Sequence, residues 1–478
     1  MKLCELFENC GYDTEIRGIK TSSRDIEPGD LFVCIKGIAA DRHDFADDAI
    51  AKGAAALVVS RDIGEKSVPV VRVSDTNEQM AYIAQKFYGY PERKMKMIGV
   101  TGTDGKTSTA TILQTLLSDT ACGYIGTNGV LCAGYEGDTP NTTPDADKLY
   151  QFLDQFVRHG CSYTAMEVSS EALMRGRTKT LEFDVSVFTN ITSEHINIHG
   201  TFANYLKDKS RLFAQTKKDG FCIINADDEN CQTMIDAANG TVLLYGKSEK
   251  ADLRIVSYDI ERGHTPIRYS YMGKEFTVDS PLLGEFNVYN LSAALLALFA
   301  LGYQMSDLEE RLKHLAVDGR VTFIETGRDY WVMVDYAHTP NGIQNILKLA
   351  DTFGFDRIVT VIGAAGTRDP YKRPLMGKTI CDHPKTYGIF TYEDPRTEDP
   401  ADIAADLTRD IRDYDNYRII LDRGDAIRAA VDMLKDNECA LILGKGNEDE
   451  EELKDGPIHF NDIEEAKKAI QARNSREK

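Results

Sequence analysis

The stretch Met95–Leu117, MKMIGVTGTDGKTSTATILQTLL, decides the fold of this chain. Its apolar run Met97–Val100 predicts a buried strand, and a helical pattern begins at Ser108. Between them lies Thr101–Thr107, TGTDGKT, in the order of a phosphate-binding loop: strand, glycine-rich turn, lysine, helix. Glycines let backbone N–H groups approach phosphate oxygens, and a helix N-terminus adds partial positive charge. The stretch therefore predicts nucleotide binding rather than a structural turn.

Two side chains of this loop suit phosphate chemistry. Lys106 can reach the β- and γ-phosphates of a nucleotide, and the Thr107 hydroxyl can bind Mg²⁺. The match to the usual pattern is imperfect. That pattern has a glycine five residues before Gly105, but Val100 occupies this position, and Gly99 lies one residue too early. A lysine and a hydroxyl placed between a strand and a helix still favour a phosphate site.

The composition excludes several classes of protein. At 478 residues, the chain is long enough for about three domains of roughly 150 residues each. No apolar run approaches the ~18 residues of a membrane helix, and the opening MKLCELFENC lacks the apolar segment of a signal peptide. The ten cysteines form no C-x-x-C pair, and the net charge of −20 argues against general nucleic-acid binding. We expect a cytoplasmic protein with reduced thiols and no membrane insertion.

The residue pattern divides the chain into three α/β domains, residues 1–94, 95–318 and 319–478. A linker is predicted at Gly89–Pro91, at the end of the first domain. The elements predicted in the first two domains are the strands Asp30–Ile35, Ala54–Ser60, Tyr163–Val168 and Phe183–Phe188 and the helices Asp47–Gly53, Thr76–Tyr88 and Asn287–Leu301.

Regular alternation of strands and helices marks the third domain. The predicted elements are the strands Trp331–Asp335, Arg357–Ile362, Tyr387–Thr391, Tyr417–Leu421 and Ala440–Leu443 and the helices Pro340–Phe353, Pro400–Tyr414 and Asp425–Asp436. This order predicts a doubly wound, Rossmann-like parallel sheet. Because no G-x-G-x-x-G follows any of these strands, a hydride-transfer cofactor is excluded. The acidic run Glu448–Glu452 predicts a solvated loop apart from its first residue.

Polar residues follow two strands of the central domain. Glu167 lies at the end of one strand, where ligands gather in a parallel sheet, and a carboxylate near a phosphate loop is a natural Mg²⁺ ligand. The next strand ends in Phe188-Thr189-Asn190 and is followed by Glu194-His195. The pattern alone favours a site role and a structural role for His195 equally.

Lys209 interrupts the apolar stripe of a helix that begins at Thr201. The stripe consists of Phe202, Tyr205, Leu206, Leu212 and Phe213. Lys209 falls in its middle, whereas Lys207 and Arg211 fall outside it. The pattern alone favours a lysine that extends to the helix edge. The alternative is a desolvated lysine, whose neutral amine can react with CO₂ to form a carbamate, an oxygen ligand for a second Mg²⁺.

Several segments together resemble the Mur ligase family of peptidoglycan synthesis. Within it, the chain is similar to the branch that adds the third amino acid to UDP-N-acetylmuramoyl-L-alanyl-D-glutamate. The segments that carry the resemblance are Thr101–Thr107, Asn141–Asp145, Met166–Ser170, Phe188–Gly200 and Tyr205–Phe213. It continues over Thr21–Arg24, Pro28–Gly37, Phe286–Asn290, Asp335–Pro340, Gly363–Gly377, Glu393–Arg396, Gly444–Glu448 and His459–Phe460.

The resemblance implies an ADP-forming ligase that acts on small molecules as a monomer, with ATP and Mg²⁺. The ATP-binding residues it implies are Gly102, Thr103, Asp104, Gly105, Lys106, Thr107 and Ser108 on the loop and Asn287, Asn290, Arg320, Asp335 and His338 near the adenosine. The metal ligands it implies are Thr107, Glu167, His195 and Lys209 as a carbamate made from CO₂. The catalytic residues it implies are Lys106, Lys209, His195 and Glu167.

Two further groups of residues are implied to bind the other substrates. Those for the UDP-muramoyl-dipeptide are Ser23, Asn141, Thr142, Thr143, Ser169, Arg175 and Arg177. Those for the incoming amino acid are Arg368, Glu393, Asp394, Pro395, Arg396, Gly444 and Glu448. The chain departs from the family at Asp104, where Asn is usual, Glu171 for His, Arg175 for Gln, Asn447 for His, and in the motif Glu393–Arg396, EDPR for DNPR.

Alternatives remain open at three levels. The incoming amino acid is expected to be meso-diaminopimelate, because Arg396 suits a second carboxylate, but Asp394 makes the pocket more negative and keeps L-lysine as the alternative. A folylpolyglutamate-type ligase is disfavoured by the N-terminal domain and by Arg396. A non-catalytic nucleotide switch is disfavoured by the retained Lys106, Glu167, His195 and Lys209, because a switch would not need a second metal site.

Overall fold

The structure is a computed structural model that describes residues 1–7, 10–37, 40–118, 121–139, 141–192, 194, 196–261, 263–317 and 319–476. The chain forms two compact units. The first comprises Met1–Ile191, Ala203–Tyr245 and Ala293–Gln304, and the second comprises Thr192–Phe202, Gly246–Ser292 and Met305–Lys478. The division into three domains at residues 94 and 318 stays a prediction.

The strands are numbered in chain order. They are β1 (Gly18–Lys20), β2 (Asp30–Val33), β3 (Ala56–Val59), β4 (Val70–Arg72), β5 (Lys96–Thr101), β6 (Cys122–Gly126), β7 (Gly129–Cys132), β8 (Tyr135–Gly137), β9 (Tyr163–Glu167), β10 (Phe183–Phe188), β11 (Thr216–Asn225), β12 (Thr241–Gly246), β13 (Leu253–Tyr258), β14 (Thr265–Tyr271), β15 (Lys274–Ser280), β16 (Thr322–Ile324), β17 (Trp331–Asp335), β18 (Ile358–Ile362), β19 (Thr386–Phe390), β20 (Tyr417–Ile419), β21 (Cys439–Leu443), β22 (Glu450–Leu453) and β23 (Gly456–His459).

The α-helices are numbered in the same way. They are α1 (Leu3–Leu6), α2 (Ala46–Ala51), α3 (Thr76–Phe87), α4 (Lys106–Leu116), α5 (Ala146–Arg158), α6 (Ser170–Met174), α7 (Ile196–His199), α8 (Phe202–Ala214), α9 (Cys231–Ala237), α10 (Glu285–Ala300), α11 (Met305–Leu312), α12 (Pro340–Thr352), α13 (Lys372–Cys381), α14 (Pro400–Leu407), α15 (Arg423–Met433) and α16 (Asp462–Arg476). No helix within the described ranges is long and apolar enough to cross a membrane.

The first unit begins with a small parallel sheet in the order β1-β2-β3-β4. Strands β2 and β3 are buried along their whole length, as expected for apolar runs covered on both faces. Helix α3 follows this sheet and begins after Asp75, whose carboxylate accepts hydrogen bonds from the N–H groups of Asn77 and Glu78. The strands and helices predicted for this segment are confirmed, with ends that differ by up to two residues.

The rest of the first unit contains a sheet in the order β12-β11-β10-β5-β9-β6-β7-β8. The strands from β12 to β6 run parallel, and β7 and β8 form an antiparallel edge. Strand β5 lies between β10 and β9, and Val100 is paired in register with Glu167. This topology places the predicted phosphate loop, which follows β5, beside the carboxylate at the end of β9.

The second unit contains the doubly wound sheet predicted for the C-terminal part of the chain. Its order is β16-β17-β21-β18-β19-β20, parallel except for β16. Strand β21 comes last in the sequence but lies between β17 and β18 in the sheet. The three strands therefore end side by side, at Asp335, Leu443 and Ile362. Separate apolar clusters pack around the sheet, and one of them includes residues of α12 and α13. The unit also contains the antiparallel strands β13, β14 and β15.

Two expectations from the sequence are wrong. The acidic run Glu448–Glu452 is not a solvated loop, because β22 pairs antiparallel with β23 and the Glu451 side chain is buried at 3% exposure. Period-two alternation within a strand buries this acid although its neighbours face outward. The helix predicted as far as Tyr414 ends at Leu407, where Thr408 donates its hydroxyl back to the Ala404 carbonyl.

Candidate active site

The phosphate loop is shaped by two glycines between β5 and α4. A Cβ at Gly102 would overlap the Thr189 hydroxyl, and Gly105 has φ +83, a left-handed conformation that side chains rarely adopt, at the residue before α4. The loop backbone is also held by Asn190, whose side chain accepts from the Asp104 N–H at 3.0 Å and donates to the Asp104 carbonyl at 3.1 Å. The segment that follows the neighbouring strand β10 therefore holds the predicted phosphate loop in its conformation.

Two lysines converge on one backbone oxygen of this loop. Lys106 Nζ donates to the Gly102 carbonyl at 3.0 Å and to the Thr103 carbonyl at 2.8 Å. Lys209 Nζ donates to the same Gly102 carbonyl at 2.6 Å and lies 4.7 Å from the ring centre of Tyr205. Because the Lys209 residue is only 2% exposed, the prediction that it extends to the helix edge is wrong. Lys207, two residues earlier on α8, is exposed.

Glu167 is fully buried at the end of β9, and hydrogen bonds surround its carboxylate. Oε1 accepts from the Tyr124 hydroxyl at 2.7 Å and from the Thr127 N–H at 2.9 Å. Oε2 accepts from the Thr107 hydroxyl at 3.0 Å. These hydrogen bonds satisfy both oxygens of the buried carboxylate. The hydroxyl and the carboxylate that the resemblance assigns to Mg²⁺ are thus adjacent, next to the phosphate loop and Ser108.

Most residues assigned to the dipeptide lie around this same strand end. The Thr143 hydroxyl donates to the Glu167 carbonyl at 2.8 Å and accepts from the Ser169 N–H at 2.9 Å. Arg177 donates to the Thr143 carbonyl at 3.0 Å, and the Thr142 hydroxyl lies 3.3 Å from that of Thr127. The Asn141 carbonyl accepts from the Thr139 hydroxyl at 2.9 Å.

A cavity of about 770 Å³ opens in the first unit. The basic residues that line it are Lys36, Arg42, Arg175, Arg177, Lys179 and Arg211. Arg175 forms an ion pair of 2.7 Å with Glu171, so two positions that depart from the family are paired with each other. Ser23 is buried outside the cavity lining, and its carbonyl accepts from Lys52 Nζ at 3.0 Å.

The residues assigned to the adenosine belong to the second unit. Asn290 donates to the Asn287 side-chain oxygen at 3.1 Å, and both side chains are buried. The Asp335 carboxylate accepts from the N–H groups of Val321 and Ala337, each at 2.8 Å. His338 Nδ1 lies 2.9 Å from the Tyr336 carbonyl, and the Arg320 guanidinium lies 4.5 Å above the Tyr336 ring.

The residues assigned to the incoming amino acid follow β19 and β21. The Tyr336 hydroxyl donates to Glu448 at 3.0 Å, and the buried Lys445 donates to Glu448 at 3.1 Å and to Asp394 at 2.8 Å. Asp394 therefore faces a cation, which offsets the negative charge that the sequence adds at this position. Burial raises the pKa of Glu448.

Glu393 is a buried carboxyl group in the same cluster. Burial raises its pKa to about 7, although the positive charges of Arg423, Lys372 and Lys445 oppose the shift. Its Oε1 has no hydrogen-bond partner among the described residues. A Cβ at Gly444, which has φ +118, would overlap this oxygen. The glycine assigned to the amino-acid pocket is therefore required for the close approach of Glu393.

Arg396 is held by β22. Its Nε donates to the Glu452 carboxylate at 2.7 Å, and its backbone N–H donates to the Glu452 carbonyl at 2.9 Å. Pro395 packs its carbonyl against Gly366, where a Cβ would overlap it. Arg368 is exposed.

Sequence reasoning missed several residues of these clusters, namely Tyr124, Thr127, Tyr336, Arg423 and Lys445. Lys445 could have been suspected, because it lies between two glycines in the segment Gly444–Glu448 that carries the resemblance. His195 lies outside the described residues, and no group of three or more His, Cys, Asp or Glu side chains suited to a metal ion was found within them.

Three models of the Mur ligase family match this chain. Residues 15–88 match the family model "Mur ligase family, catalytic domain", residues 100–298 the "Mur ligase middle domain" and residues 319–446 the "Mur ligase, glutamate ligase domain". The chain is 37% identical over 468 residues to UDP-N-acetylmuramoyl-L-alanyl-D-glutamate–2,6-diaminopimelate ligase of Bacillus cereus, covering 96% of this chain and 95% of the relative.

Solved structures share the fold. A structure of UDP-N-acetylmuramoyl-L-alanyl-D-glutamate–2,6-diaminopimelate ligase superposes with a TM-score of 0.69 at 28% identity and covers 99% of both chains. The MurF ligase of Thermotoga maritima in complex with ADP superposes with a TM-score of 0.68 at 19% identity, covering 97% of this chain and 99% of that one. The second likeness supports the fold alone.

Proposed function

The chain belongs to the Mur ligase family, and from this premise we propose that it joins meso-diaminopimelate to UDP-N-acetylmuramoyl-L-alanyl-D-glutamate with ATP. The observation that carries the proposal is the Thr107–Glu167 pair beside the phosphate loop, in a chain that matches diaminopimelate ligases over nearly its full length. The same reaction with L-lysine is the alternative, favoured only by the carboxylates of Asp394 and Glu393.

The proposed reaction has two steps. First, the D-Glu carboxylate attacks the γ-phosphorus of ATP, and the bond from this phosphorus to the β,γ-bridging oxygen breaks, so that an acyl phosphate and ADP form. Second, the unprotonated amine of the amino acid adds to the acyl carbon, and phosphate leaves as the amide bond forms and the amine loses a proton. Catalysis depends on positioning and on neutralising charge on the transferred phosphoryl group. We assign the neutralisation of charge on the phosphoryl group to Lys106, whose Nζ donates hydrogen bonds to two carbonyls of the loop.

The donors around the loop fit a divalent cation. A threonine hydroxyl and a carboxylate at 3.0 Å are hard oxygen ligands of the kind Mg²⁺ takes. Thr107 and Glu167 would hold the ion, which would supply charge neutralisation at the phosphates when bound. Tyr124 and Thr127 orient the Glu167 carboxylate from the opposite side.

Lys209 is proposed to carry a carbamate. Burial disfavours the ammonium form of a lysine, and a neutral amine adds to the carbon of CO₂ with release of one proton to solvent. The side chain lies in the core of the first unit and reaches the loop at Gly102, which supports a role at the phosphate site. His195 is proposed as a ligand of the second cation from the resemblance alone.

The other substrates are assigned to two places. The lining of the cavity in the first unit has six basic and four acidic side chains, and this excess of positive charge suits the diphosphate of the UDP-muramoyl-dipeptide. Arg177, which is ion-paired with Asp145 at 2.7 Å, would contact it at the strand end. The pocket after β19 and β21 is assigned to the amino acid. We also propose three domains with boundaries after residues 94 and 318, a monomeric state and a cytoplasmic location.

Arg396 is expected to select the amino acid. Because Glu452 holds its Nε, the Nη edge is oriented to receive the distal carboxylate of diaminopimelate. Arg396→Ala should raise the activation free energy for kcat/KM with diaminopimelate by about 2 kcal/mol and so lower kcat/KM. This is the lower end of the range for a lost charge pair, because the arginine side chain is 22% exposed. The measurement is kcat/KM for diaminopimelate and for L-lysine in both proteins.

The exposed Arg412 of the same unit provides the control, and Arg412→Ala should leave both constants unchanged. Wild type is expected to prefer diaminopimelate. Preference of the wild type for L-lysine, or unchanged use of diaminopimelate by Arg396→Ala, would show that the amino acid has been assigned wrongly.

A further inference from the structure

We propose that Lys445, which the resemblance does not assign to any role, determines amino-acid specificity by cancelling the negative charge of Asp394 and Glu448 from behind the pocket. Its ammonium donates to both carboxylates, at 2.8 and 3.1 Å, and its side chain is fully buried. The inference rests on the proposed function, since it concerns the amino acid that the pocket accepts. Lys445 acts through the two carboxylates and is therefore a positioning residue.

The backbone around Lys445 is built to direct its side chain inward. Gly444 has φ +118 and Gly446 has φ +57, both in the left-handed region. A Cβ on Gly446 would lie 2.7 Å from the Gly319 carbonyl, and a Cβ on Gly444 would overlap Glu393. Only glycine fits these two positions, so the turn holds one lysine between them at the end of β21.

The two carboxylates that Lys445 contacts are themselves fixed. Glu448 also accepts from the Tyr336 hydroxyl at 3.0 Å, and Asp394 also accepts from the Glu452 N–H at 3.1 Å. Burial lowers the pKa of Lys445, but Glu448 and Asp394 outweigh burial and the net pKa is raised, so the amine stays charged. Glu393 and Glu451 add two more carboxyl groups to its surroundings.

The charge balance determines which distal group the pocket tolerates. With Lys445 in place, the three side chains Asp394, Glu448 and Lys445 carry one net negative charge. Without it they would carry two, which attracts an ammonium and repels a carboxylate. Diaminopimelate has both groups at its distal end, whereas L-lysine has only the ammonium. Lys445 therefore permits a carboxylate to reach Arg396.

The test is K445M, which keeps the length of the side chain and removes its charge. The ratio of kcat/KM for diaminopimelate to that for L-lysine should fall on the order of 10-fold to 100-fold, as expected for losing a charge a few ångströms from the distal carboxylate. The KM for ATP should not change. K454M, on the exposed turn between β22 and β23, is the matched control and should keep the wild-type ratio.

A second variant guards against a failure to fold. D394N/K445M restores one net negative charge, so its ratio should return toward that of wild type, and K445R should keep the wild-type ratio. Equal losses for both amino acids in K445M would overturn the inference. If K445M and D394N/K445M both fail to fold, the ammonium of Lys445 is needed for folding rather than for the choice of amino acid, and the inference is overturned as well.

The proposed function can fail separately from this inference. A wild-type protein that ligates neither amino acid would overturn the function. A wild-type protein that prefers L-lysine would overturn only the identity of the amino acid, and K445M would still have to shift the ratio further toward L-lysine.

Discussion

Lys209→Ala is expected to be nearly inactive, with kcat reduced on the order of 10³-fold, the upper end for loss of one charge-stabilising group. The side chain is 2% exposed and its ammonium lies 2.6 Å from the Gly102 carbonyl of the phosphate loop. Truncation removes both this contact and the proposed carbamate. The measurement is steady-state ADP release, repeated with added short carboxylates, which should partly restore the rate if the missing group is a carbamate oxygen.

The control for this variant lies on the same helix. Lys207 is exposed, so Lys207→Ala should behave like wild type. A rate for Lys209→Ala within a few fold of wild type would remove Lys209 from the catalytic residues. A crystal structure with bicarbonate and Mg²⁺ that shows an unmodified Lys209 would rule out the carbamate while leaving a structural role for the lysine.

Lys106→Ala is the second variant with a large expected effect. The lysine begins α4 and is tied to the loop carbonyls of Gly102 and Thr103. Removing a group that stabilises charge on a transferred phosphoryl group costs about 10²–10³ in rate. We expect this loss in kcat with an unchanged circular-dichroism melting curve, because Gly102, Gly105 and Asn190 still shape the loop.

Lys218, exposed on β11 of the same unit, supplies the comparison for Lys106, and Lys218→Ala should retain full activity. Near-normal turnover in Lys106→Ala would contradict the assignment of Gly102–Ser108 to the ATP phosphates. A lower melting temperature in that variant would instead point to a structural role for the lysine.

The sequence predicts the fold and the phosphate loop well because both depend on local patterns. The loop lies between an apolar run and a helical pattern, which form β5 and α4. The stripe on α8 identified Lys209 as unusual, but its burial depends on packing against the loop at Gly102. Spacing along one helix cannot decide that contact, so the interpretation that the pattern alone favoured, a lysine at the helix edge, was wrong. The alternative of a desolvated lysine agrees with its exposure of 2%.

The charge pairing around the amino-acid pocket could not be predicted. Asp394 and Lys445 are distant in sequence and meet because β18 lies between β21, which Lys445 follows, and β19, which Asp394 follows. Arg396 is paired with Glu452 of β22, a strand in a segment whose acidic pattern predicts a loop. Pairs of this kind depend on strand order, which a single sequence does not determine.

The measurement that tests the central claim most directly is ADP release by the wild-type protein with Mg²⁺, in the presence and absence of each substrate. The account predicts one ADP for each amide bond formed, with release that requires both UDP-N-acetylmuramoyl-L-alanyl-D-glutamate and meso-diaminopimelate. ADP release that needs neither compound, or ATP binding with no turnover when both are present, would contradict it. The first result would indicate a hydrolase, and the second a non-catalytic nucleotide switch.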